Sequence, residues 1–448
     1  MVIRRFTIMK KITSNIKLFF GLAMLSIATA CAPELNEVTP SAGTSANFTK
    51  YIAIGNSLTA GYTDNGLYLE GQKVAFPNLI AEQLQKVGAA KDFNSPFFSQ
   101  ENRNGSGYMS LNGLINGNPS IGRVMTNLAI RDSIAPGKYL YEKNLDPITN
   151  LGVPGLRLDM IQIPGYGSQL GNPFFERLLP DATSATTTYL DFATSQNHTF
   201  FTFWVGNMDV LGYATNGAVT SDATNVLTTR ANFQNLYTKF VDDLTANGQK
   251  GVLATIPDVA TVPYFNTVTR SALLAAATAA AGQEINEIYF NTKSGYKAAT
   301  NNDKFILTFQ AVAATQLGRP SPGNPFPYGL DPRNPIDDKY VLDESEQVIV
   351  ATRIAEFNEI IKEVAQNKGL ALADAHAFLN NVNKGLIING LNVNARYITG
   401  NAFSLDGIHL TPMGNALTAN LFIDAINATY KSSIPKVNVT QYRGVSIP

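Results

Sequence analysis

The sequence predicts an α/β protein in which helices cover both faces of a parallel sheet, a three-layer α/β/α sandwich. Short apolar runs of strand length alternate with longer segments of helical periodicity, which implies right-handed crossovers between parallel strands. The runs are continuously apolar, as expected of strands that are covered on both faces. With 448 residues and 45% hydrophobic content, the chain can bury one large core or two modest ones.

Four apolar runs are the predicted strands of this sheet. They are YIAIG at 51–55, FFTFWVG at 200–206, GVLATIP at 251–257 and GLALAD at 369–374. A candidate second strand ends near Leu151. Because continuous apolar runs of this length suit buried strands, the sequence predicts a sheet with little solvent contact on either face.

Helical periodicity is clearest in the segment from Asp343 to Lys368. Apolar residues there step by four and three along one face, after a start that resembles a capping box between Asp343 and Glu346. A second helix is predicted within 76–88, which has a proline near its start and a glycine at its end. A third begins at Thr411 and Pro412.

Residues 1–30 have the composition of an export signal. A basic opening is followed by an apolar stretch from Leu18 to Ala28 and by small residues that end at Cys31. The apolar stretch is too short to span a bilayer as a permanent helix. This end resembles a bacterial lipoprotein signal, which implies that Cys31 is lipidated and anchors the chain in the bacterial cell envelope, periplasmic or surface-exposed. An ordinary cleaved signal with a chance cysteine is the alternative.

Residues 31–48 are predicted to form a tether, because they are rich in proline, serine, threonine and glycine and have little to bury. Since Cys31 is the single cysteine, no intramolecular disulfide can form. The formal net charge is zero and only 15% of residues are charged. We therefore expect no nucleic-acid partner, because no basic face is available for a phosphate backbone.

Ligands in such a sheet bind at the carboxyl ends of the strands, so the stretches that follow the apolar runs are the candidate site. The informative stretches are GNSLTAG at 55–61, GVPGLRLD at 152–159, GNMD at 206–209 and SLDGIHLTPMGNAL at 404–417. The last stretch places Asp406 and His409 three residues apart, directly before a predicted helix.

Together the four stretches resemble the signature blocks of the GDSL or SGNH hydrolase family of esterases and lipases. GNSLTAG resembles the first block, Gly155 the glycine of the second, GNMD the G-x-N-D block and DGIH the D-x-x-H block. The resemblance covers a domain from residue 49 to about 430 and leaves 431–448 as a C-terminal tail. It implies the flavodoxin-like parallel sheet of the SGNH hydrolase fold.

The resemblance also implies a serine ester hydrolase that forms an acyl-enzyme and uses no cofactor. Ser57 would be the nucleophile, His409 would accept its proton, and Asp406 would fix the imidazole tautomer and stabilise its cation. The backbone amides of Ser57 and Gly155 would bind the oxyanion. The sequence leaves open whether the ester belongs to a lipid, an acylated carbohydrate or a small molecule.

Two positions depart from the family pattern. Asn56 replaces the usual aspartate before the serine, and an asparagine can hydrogen-bond in a similar way. Met208 stands at the asparagine of the G-x-N-D block, where a thioether cannot donate a hydrogen bond. Asn207 is the predicted substitute donor if the loop is turned differently. The alternative function is a catalytically weakened lipoprotein that binds glycans or lipids in the same cleft.

Two long insertions, near 62–146 and 262–342, separate the blocks. Loops of this length are usually functional or disordered, and we interpret them as walls of a substrate cleft, with surface decoration as the alternative. His198 is expected to make a surface contact. Asp374 and His376 supply two metal ligands without a third, so we expect no metal site.

Overall fold

The computed structural model describes residues 39–115, 118–220 and 222–448, in which strands and helices alternate as the sequence predicts. The strands there are β1 (Tyr51–Gly55), β2 (Tyr108–Ile115), β3 (Asn118–Val124), β4 (Ile130–Ala135), β5 (Lys138–Tyr141), β6 (Phe200–Trp204), β7 (Lys250–Ala254), β8 (Tyr289–Thr292), β9 (Gly295–Ala298), β10 (Lys304–Phe305), β11 (Pro320–Ser321), β12 (Asn324–Pro327), β13 (Val341–Leu342), β14 (Ala371–Ala373), β15 (Leu386–Ile388) and β16 (Leu391–Val393).

The α-helices of the same ranges differ widely in length, and the long ones pack on the sheet. They are α1 (Ser57–Ala60), α2 (Leu69–Lys73), α3 (Phe76–Gln85), α4 (Pro173–Glu176), α5 (Tyr189–Thr194), α6 (Met208–Thr215), α7 (Arg230–Leu244), α8 (Arg270–Ala281), α9 (Phe309–Gln316), α10 (Glu344–Lys368), α11 (Ala375–Lys384) and α12 (Pro412–Tyr430). Each of the four predicted apolar runs overlaps a strand of the central sheet.

The central sheet is parallel, with strand order β1-β6-β7-β14. Residues 149–153 extend it along the free edge of β1, where the Leu151 amide donates to the Ala53 carbonyl (2.8 Å) and the Val153 amide to the Gly55 carbonyl (3.0 Å). With this segment counted second, the order is 2-1-3-4-5, the order of flavodoxin-like sheets. The predicted α/β class with a parallel sheet is confirmed, including the candidate strand near Leu151.

Consecutive side chains of β6 show why helices cover both faces of the sheet. Phe203 packs edge-on against Phe240 of α7, with ring centroids 4.9 Å apart. Trp204 points to the other face, against Phe76 of α3 and Phe422 of α12. Since neighbouring side chains of a strand point to opposite faces, two apolar neighbours require a layer of helices on each side.

The long helix α10 begins and ends as the sequence predicts. The Asp343 carboxylate accepts from the Glu346 amide (2.9 Å), and the Glu346 carboxylate accepts from the Asp343 amide (3.1 Å), which completes the capping box. Gly369 closes the helix with a left-handed backbone, φ 59°. Phe357 of α10 stacks on Phe233 of α7 at 3.8 Å, so this helix pair forms the layer opposite α3 and α12.

Residues on either side of the predicted hydrolase domain also pack into its core. Ser41 pairs antiparallel with Ser433, and Phe48 is buried between Phe200 and Tyr430. Residues 40–448 form one compact unit that includes the predicted tail. The predicted signal at 1–30 and Cys31 lie outside the described residues. No helix among the described residues is long and apolar enough to cross a membrane.

The expectation of a surface contact for His198 is wrong, because its side chain is buried. Its ring nitrogens lie 2.8 Å from the Gln196 carbonyl and 3.0 Å from the Leu244 carbonyl. The imidazole thereby joins the segment before β6 to the end of α7. This is a structural role.

Candidate active site

Ser57 lies at the first position of α1, one residue beyond the turn that ends β1. The Asn56 side chain caps this helix by accepting from the Leu58 amide (3.3 Å). Gly55 is required for the turn, because a Cβ there would lie 2.0 Å from the Thr59 hydroxyl oxygen and 2.8 Å from the Trp204 carbonyl oxygen. The buried strand and tight turn therefore fix where Ser57 points.

The structure brings Ser57, His409 and Asp406 together in one hydrogen-bonded chain. The Ser57 Oγ lies 2.9 Å from His409 Nε2, and His409 Nδ1 lies 2.8 Å from Asp406 Oδ2. Because the carboxylate only accepts hydrogen bonds, Nδ1 carries the proton and Nε2 is left as the acceptor for the serine hydroxyl. This is the tautomer that a histidine needs to act as a general base.

Asp406 is held as an anion by its surroundings. Oδ1 accepts from the amides of Ile408 (2.9 Å) and His409 (2.8 Å), and from the Ser404 hydroxyl (3.2 Å). Oδ2 accepts from His409 and from the Asn65 amide (2.8 Å). Burial by itself raises the pKa of Asp406, but the charge of His409 and these hydrogen bonds outweigh it and hold the pKa well below its ordinary value.

The loop that follows α1 supports the His409 side of the site, a role that the sequence did not reveal. The Asp64 carboxylate accepts from the Leu405 amide (3.0 Å), and the Asp64 amide donates to the Ser404 hydroxyl (3.0 Å). The Tyr62 ring packs against the His409 imidazole at 4.8 Å between centroids. The Asp-Asn-Gly signal at 64–66 predicts a turn, but nothing local to it identifies a partner about 340 residues away.

Gly155 lies in the loop beyond the second segment of the sheet and has φ 80°, a left-handed conformation that favours glycine. Asn172 holds this loop by donating from its side-chain amide to the Pro154 carbonyl (2.8 Å). The Tyr166 hydroxyl donates to the Gly155 carbonyl (3.3 Å). Among the described residues, the Gly155 and Ser57 amides have no protein acceptor, so both N–H groups are free to bind another group.

A buried ionic cluster, missed from the sequence, joins the Gly155 loop to α6. The Arg157 guanidinium makes a two-pronged pair with Asp159 (2.8 and 2.7 Å). The Asp209 carboxylate accepts from the Leu158 amide (2.8 Å) and the Thr228 hydroxyl (2.8 Å). Burial, followed by the charge of Asp159, raises the pKa of Asp209 to about 6. This cluster fixes Gly155 relative to the GNMD stretch.

The two residues of the GNMD stretch that compete for the oxyanion position border overlapping spaces, because Met208 lines a large and a small cavity and Asn207 lines the small one. Met208 lines a large cavity together with Ser57 and Gly155. Asn207 is only 6% exposed and lines a small cavity of about 50 Å³, which Ser57 and His409 also border. Neither side-chain polar atom of Asn207 has a hydrogen-bond partner among the described residues. An amide buried without partners is costly, so Asn207 has unused capacity beside the serine.

The large cavity has a volume of about 1150 Å³ and opens over Ser57 and His409. Both predicted insertions contribute to its wall, the first with Tyr62, Met109, Pro119 and Ile121, and the second with Tyr264, Leu307, Thr308 and Ala311 among others. Its wall is mostly apolar, and Asp406 is the one carboxylate among the described residues that line it. A cavity of this kind suits an apolar, uncharged group.

The remaining sequence candidates lie elsewhere. The Asp374 carboxylate accepts from the Thr255 hydroxyl (2.9 Å), and His376 contacts the Asn380 side chain (3.4 Å). Neither residue lines the large cavity. In the described ranges, no group of three or more histidine, cysteine, aspartate or glutamate side chains is arranged to hold a metal ion.

Comparisons with known proteins find only distant similarity. No family model and no curated protein match the chain. Among the solved structures that align with it, each at 11% identity, is LAE5, an alpha/beta hydrolase enzyme from the metagenome of Lake Arreo, Spain, which covers 86% of this chain and 97% of that chain with a TM-score of 0.35. A lipase/acylhydrolase from Enterococcus faecalis covers 87% of this chain and 100% of that chain with a TM-score of 0.32. An extracellular lipase from Streptomyces rimosus covers 85% of this chain and 99% of that chain with a TM-score of 0.33. Similarities at this level assign the chain to no family.

Proposed function

We propose that this chain is a serine ester hydrolase that works through an acyl-enzyme. The observation that carries the proposal is the hydrogen-bonded chain from Asp406 through His409 to the Ser57 hydroxyl, at the wall of a large apolar cavity. A serine hydroxyl becomes a strong nucleophile when an imidazole accepts its proton, and the carboxylate stabilises the imidazolium that results. These three residues need no cofactor for this chemistry.

In the first half of the reaction, the Ser57 Oγ attacks the ester carbonyl carbon while His409 Nε2 accepts the hydroxyl proton. The negative charge that develops on the carbonyl oxygen is bound by the free amides of Ser57 and Gly155, with Asn207 as the proposed third donor. When the tetrahedral intermediate collapses, the bond to the alcohol oxygen breaks. His409 returns its proton to that oxygen, the alcohol leaves and Ser57 carries the acyl group.

In the second half, a water molecule takes the place of the alcohol. His409 Nε2 accepts a proton from the water as its oxygen attacks the acyl carbon. Collapse of the second intermediate breaks the bond to Ser57 Oγ, to which His409 returns the proton. The products are a carboxylic acid and the free enzyme, so each cycle consumes one ester and one water.

We further propose that the enzyme acts outside the cytoplasm, held in the bacterial cell envelope by a lipid on Cys31. The support is the order of basic, apolar and small residues that ends at Cys31. A single acyl chain binds membranes only marginally, so stable anchoring requires more than one chain or a second contact with the membrane. The proposed substrate is an ester of a lipid, an acylated carbohydrate or a small molecule.

One observation favours the second candidate function, a catalytically weakened lipoprotein that binds glycans or lipids. The thioether of Met208 lines the large cavity beside Ser57 and Gly155, where the resemblance places an asparagine. A site with two oxyanion donors is slower than one with three, since removal of one donor typically costs roughly 100- to 1000-fold in rate. In this case the cavity retains its ligand and turns it over slowly or not at all.

Turnover of p-nitrophenyl esters of short and long acyl chains tests the proposal and separates the two candidates. Wild type should hydrolyse at least one ester, and Ser57→Ala should lower the rate by roughly 1000-fold or more. His376→Ala is the matched control, because that side chain lies outside the cavity. Normal turnover by a folded Ser57→Ala variant would refute the mechanism, whereas glycan or lipid binding by an inactive wild type would favour the second candidate.

A further inference from the structure

The hairpin formed by β2 and β3 ends in two exposed apolar side chains. Leu114 and Ile115 are 65% and 64% exposed, although both are large and hydrophobic. They are consecutive residues of β2, so their side chains point to opposite faces of the hairpin. Because both are exposed, no other described residue covers either face at these two positions, and this part of the hairpin projects from the domain.

The same hairpin also forms part of the cavity wall, as far as Pro119, which pairs with Leu114. Met109, Pro119 and Ile121 line the large cavity beside Ser57 and His409. Leu111, which pairs with Ile121 across the hairpin, is buried in a small cluster with Leu405, the residue before Asp406. The hairpin therefore presents apolar side chains from the candidate active site to its exposed end.

Charge is nearly absent from this path. Between residues 108 and 126 the sequence has one charged residue, Arg123. Among the described residues that line the cavity there is no lysine or arginine. An exposed apolar patch that continues into an apolar cavity is typical of a surface that contacts another apolar body.

We propose that the β2–β3 hairpin contacts a lipid layer and that the substrate is an ester with a long acyl chain, which reaches Ser57 from that layer. This inference rests on the proposed ester hydrolase function and specifies its substrate class. A lipid layer fits better than a protein partner, because it can surround both faces of a projecting hairpin, whereas a folded partner packs against one. The two exposed residues span about 7 Å at 3.4 Å per residue, which matches the 5–10 Å depth of shallow interfacial contacts.

The first test compares the rate of ester hydrolysis on a substrate that is dissolved in water with the rate on a substrate that is dispersed in a lipid layer. The substrates are p-nitrophenyl butyrate in solution and p-nitrophenyl palmitate dispersed in phosphatidylcholine vesicles. Leu114→Ser/Ile115→Ser should lower kcat/KM for the dispersed ester by about tenfold and change that for the dissolved ester less than about twofold. The matched control is Val348→Ser/Ile349→Ser on α10, where the side chains are 62% and 45% exposed. An equal loss on both substrates, no loss on either, or the same loss in the control would overturn the proposal.

The second test does not depend on catalysis, so it distinguishes failure of this inference from failure of the proposed function. A polarity-sensitive fluorophore is attached to Leu114→Cys or, as control, Val348→Cys, in full chains that also carry Cys31→Ser and Ser57→Ala. Phosphatidylcholine vesicles should shift the emission at position 114 to shorter wavelength and leave position 348 unchanged. No shift at 114, an equal shift at both positions, or a shift that depends on protein concentration without vesicles would refute lipid contact.

Discussion

At the scale of single residues, the candidate site differs from a chance cluster because each member is fixed by partners beyond the others. His409 is held by Asp406 on one ring nitrogen and by the Tyr62 ring across its face. Asp406 accepts from two amides of its own turn and from the Asn65 amide of a distant loop. Since each such contact restricts a rotamer, the three side chains are held in place without a bound ligand, as the proposed mechanism requires.

The depressed pKa of Asp406 predicts how this residue contributes to stability as the pH changes. A carboxyl whose pKa is lower in the folded state than its unfolded value of about 3.9 stabilises the fold above that pH, and the contribution is lost as the pH falls through the folded pKa. The difference in free energy of unfolding between wild type and Asp406→Asn should therefore be full at pH 7 and shrink below about pH 4. Urea unfolding at pH 7, 4 and 2.5 measures it, and a constant difference would contradict the assigned ionisation.

Ester turnover by variants of Asn207 and Met208 can identify the third oxyanion donor. If the unpartnered amide of Asn207 turns toward the oxyanion, Asn207→Ala should lose roughly 100- to 1000-fold in ester turnover, and Met208→Ala far less. We expect this result, because the Asn207 amide borders the small cavity next to Ser57 and forms no hydrogen bond with any described residue. Circular dichroism checks folding. A silent Asn207→Ala together with a large gain in Met208→Asn would reverse the assignment and favour the weakened enzyme.

At the scale of elements, the site is assembled from the ends of strands, and the connections between those ends decide its geometry. The Gly155 loop is joined to α6 by Asp209, whose carboxylate accepts from the Leu158 amide. Arg157 donates from its guanidinium to the carbonyls of Thr224 (2.8 Å) and Val226 (2.7 Å), which ties in the segment before α7. Three segments that are distant in the chain thus share one buried cluster.

The raised pKa of Asp209 predicts that its contribution to the free energy of unfolding changes with pH in the opposite direction to that of Asp406. Its folded pKa of about 6 lies above the unfolded value of about 3.9, so the folded state binds the proton more tightly and loses stability as the pH rises from 4 to 6. The difference of about two pKa units corresponds to roughly 3 kcal/mol. Asp209→Asn should remove this loss, so its free energy of unfolding relative to wild type should rise between pH 4.5 and pH 7. A relative stability that does not change over that interval would show that Asp209 is not protonated in the fold.

At the scale of the whole molecule, the parallel pairing of the strands places their carboxyl ends at one edge of the sheet, and residues of both insertions surround the serine there. Tyr62 and Ile121 of the first insertion and Tyr264 and Leu307 of the second line the same cavity. The chain therefore builds a deep apolar space from segments that carry no signature in the sequence.

The anchor is a prediction about the whole molecule that labelling can test. Labelled palmitate should enter the wild-type chain in a bacterial host, because the end of the signal resembles that of a lipoprotein and Cys31 is the single cysteine. The label should be absent from Cys31→Ser and present in Ser57→Ala, which serves as the control for expression and for labelling through an acyl-enzyme. Label that persists in Cys31→Ser would refute lipidation at this residue.

The elements of the sheet could be predicted from the sequence because their signals are local. A run such as YIAIG is apolar at every position, which only burial on both faces explains, and the capping box of Asp343 and Glu346 needs no distant partner. The loops carried weaker signals, since a turn residue predicts a change of direction and not a contact. For the same reason the sequence does not predict the burial of His198, because one of its two carbonyl partners, Leu244, is the last residue of α7 and lies 46 positions away.

The sequence by itself determined the alternation of strands and helices, and it singled out Ser57, Asp406 and His409, because these properties are encoded within a few neighbouring residues. Only the tertiary structure decided that Asn65 supports Asp406 across 341 positions, that Arg157, Asp159 and Asp209 share a buried cluster, and that the exposed end of the hairpin continues into the cavity. The physical reason is that the partner of a buried polar group is chosen by the packing of the whole chain. Residues far apart in the sequence supply its hydrogen bonds, and no local pattern specifies which.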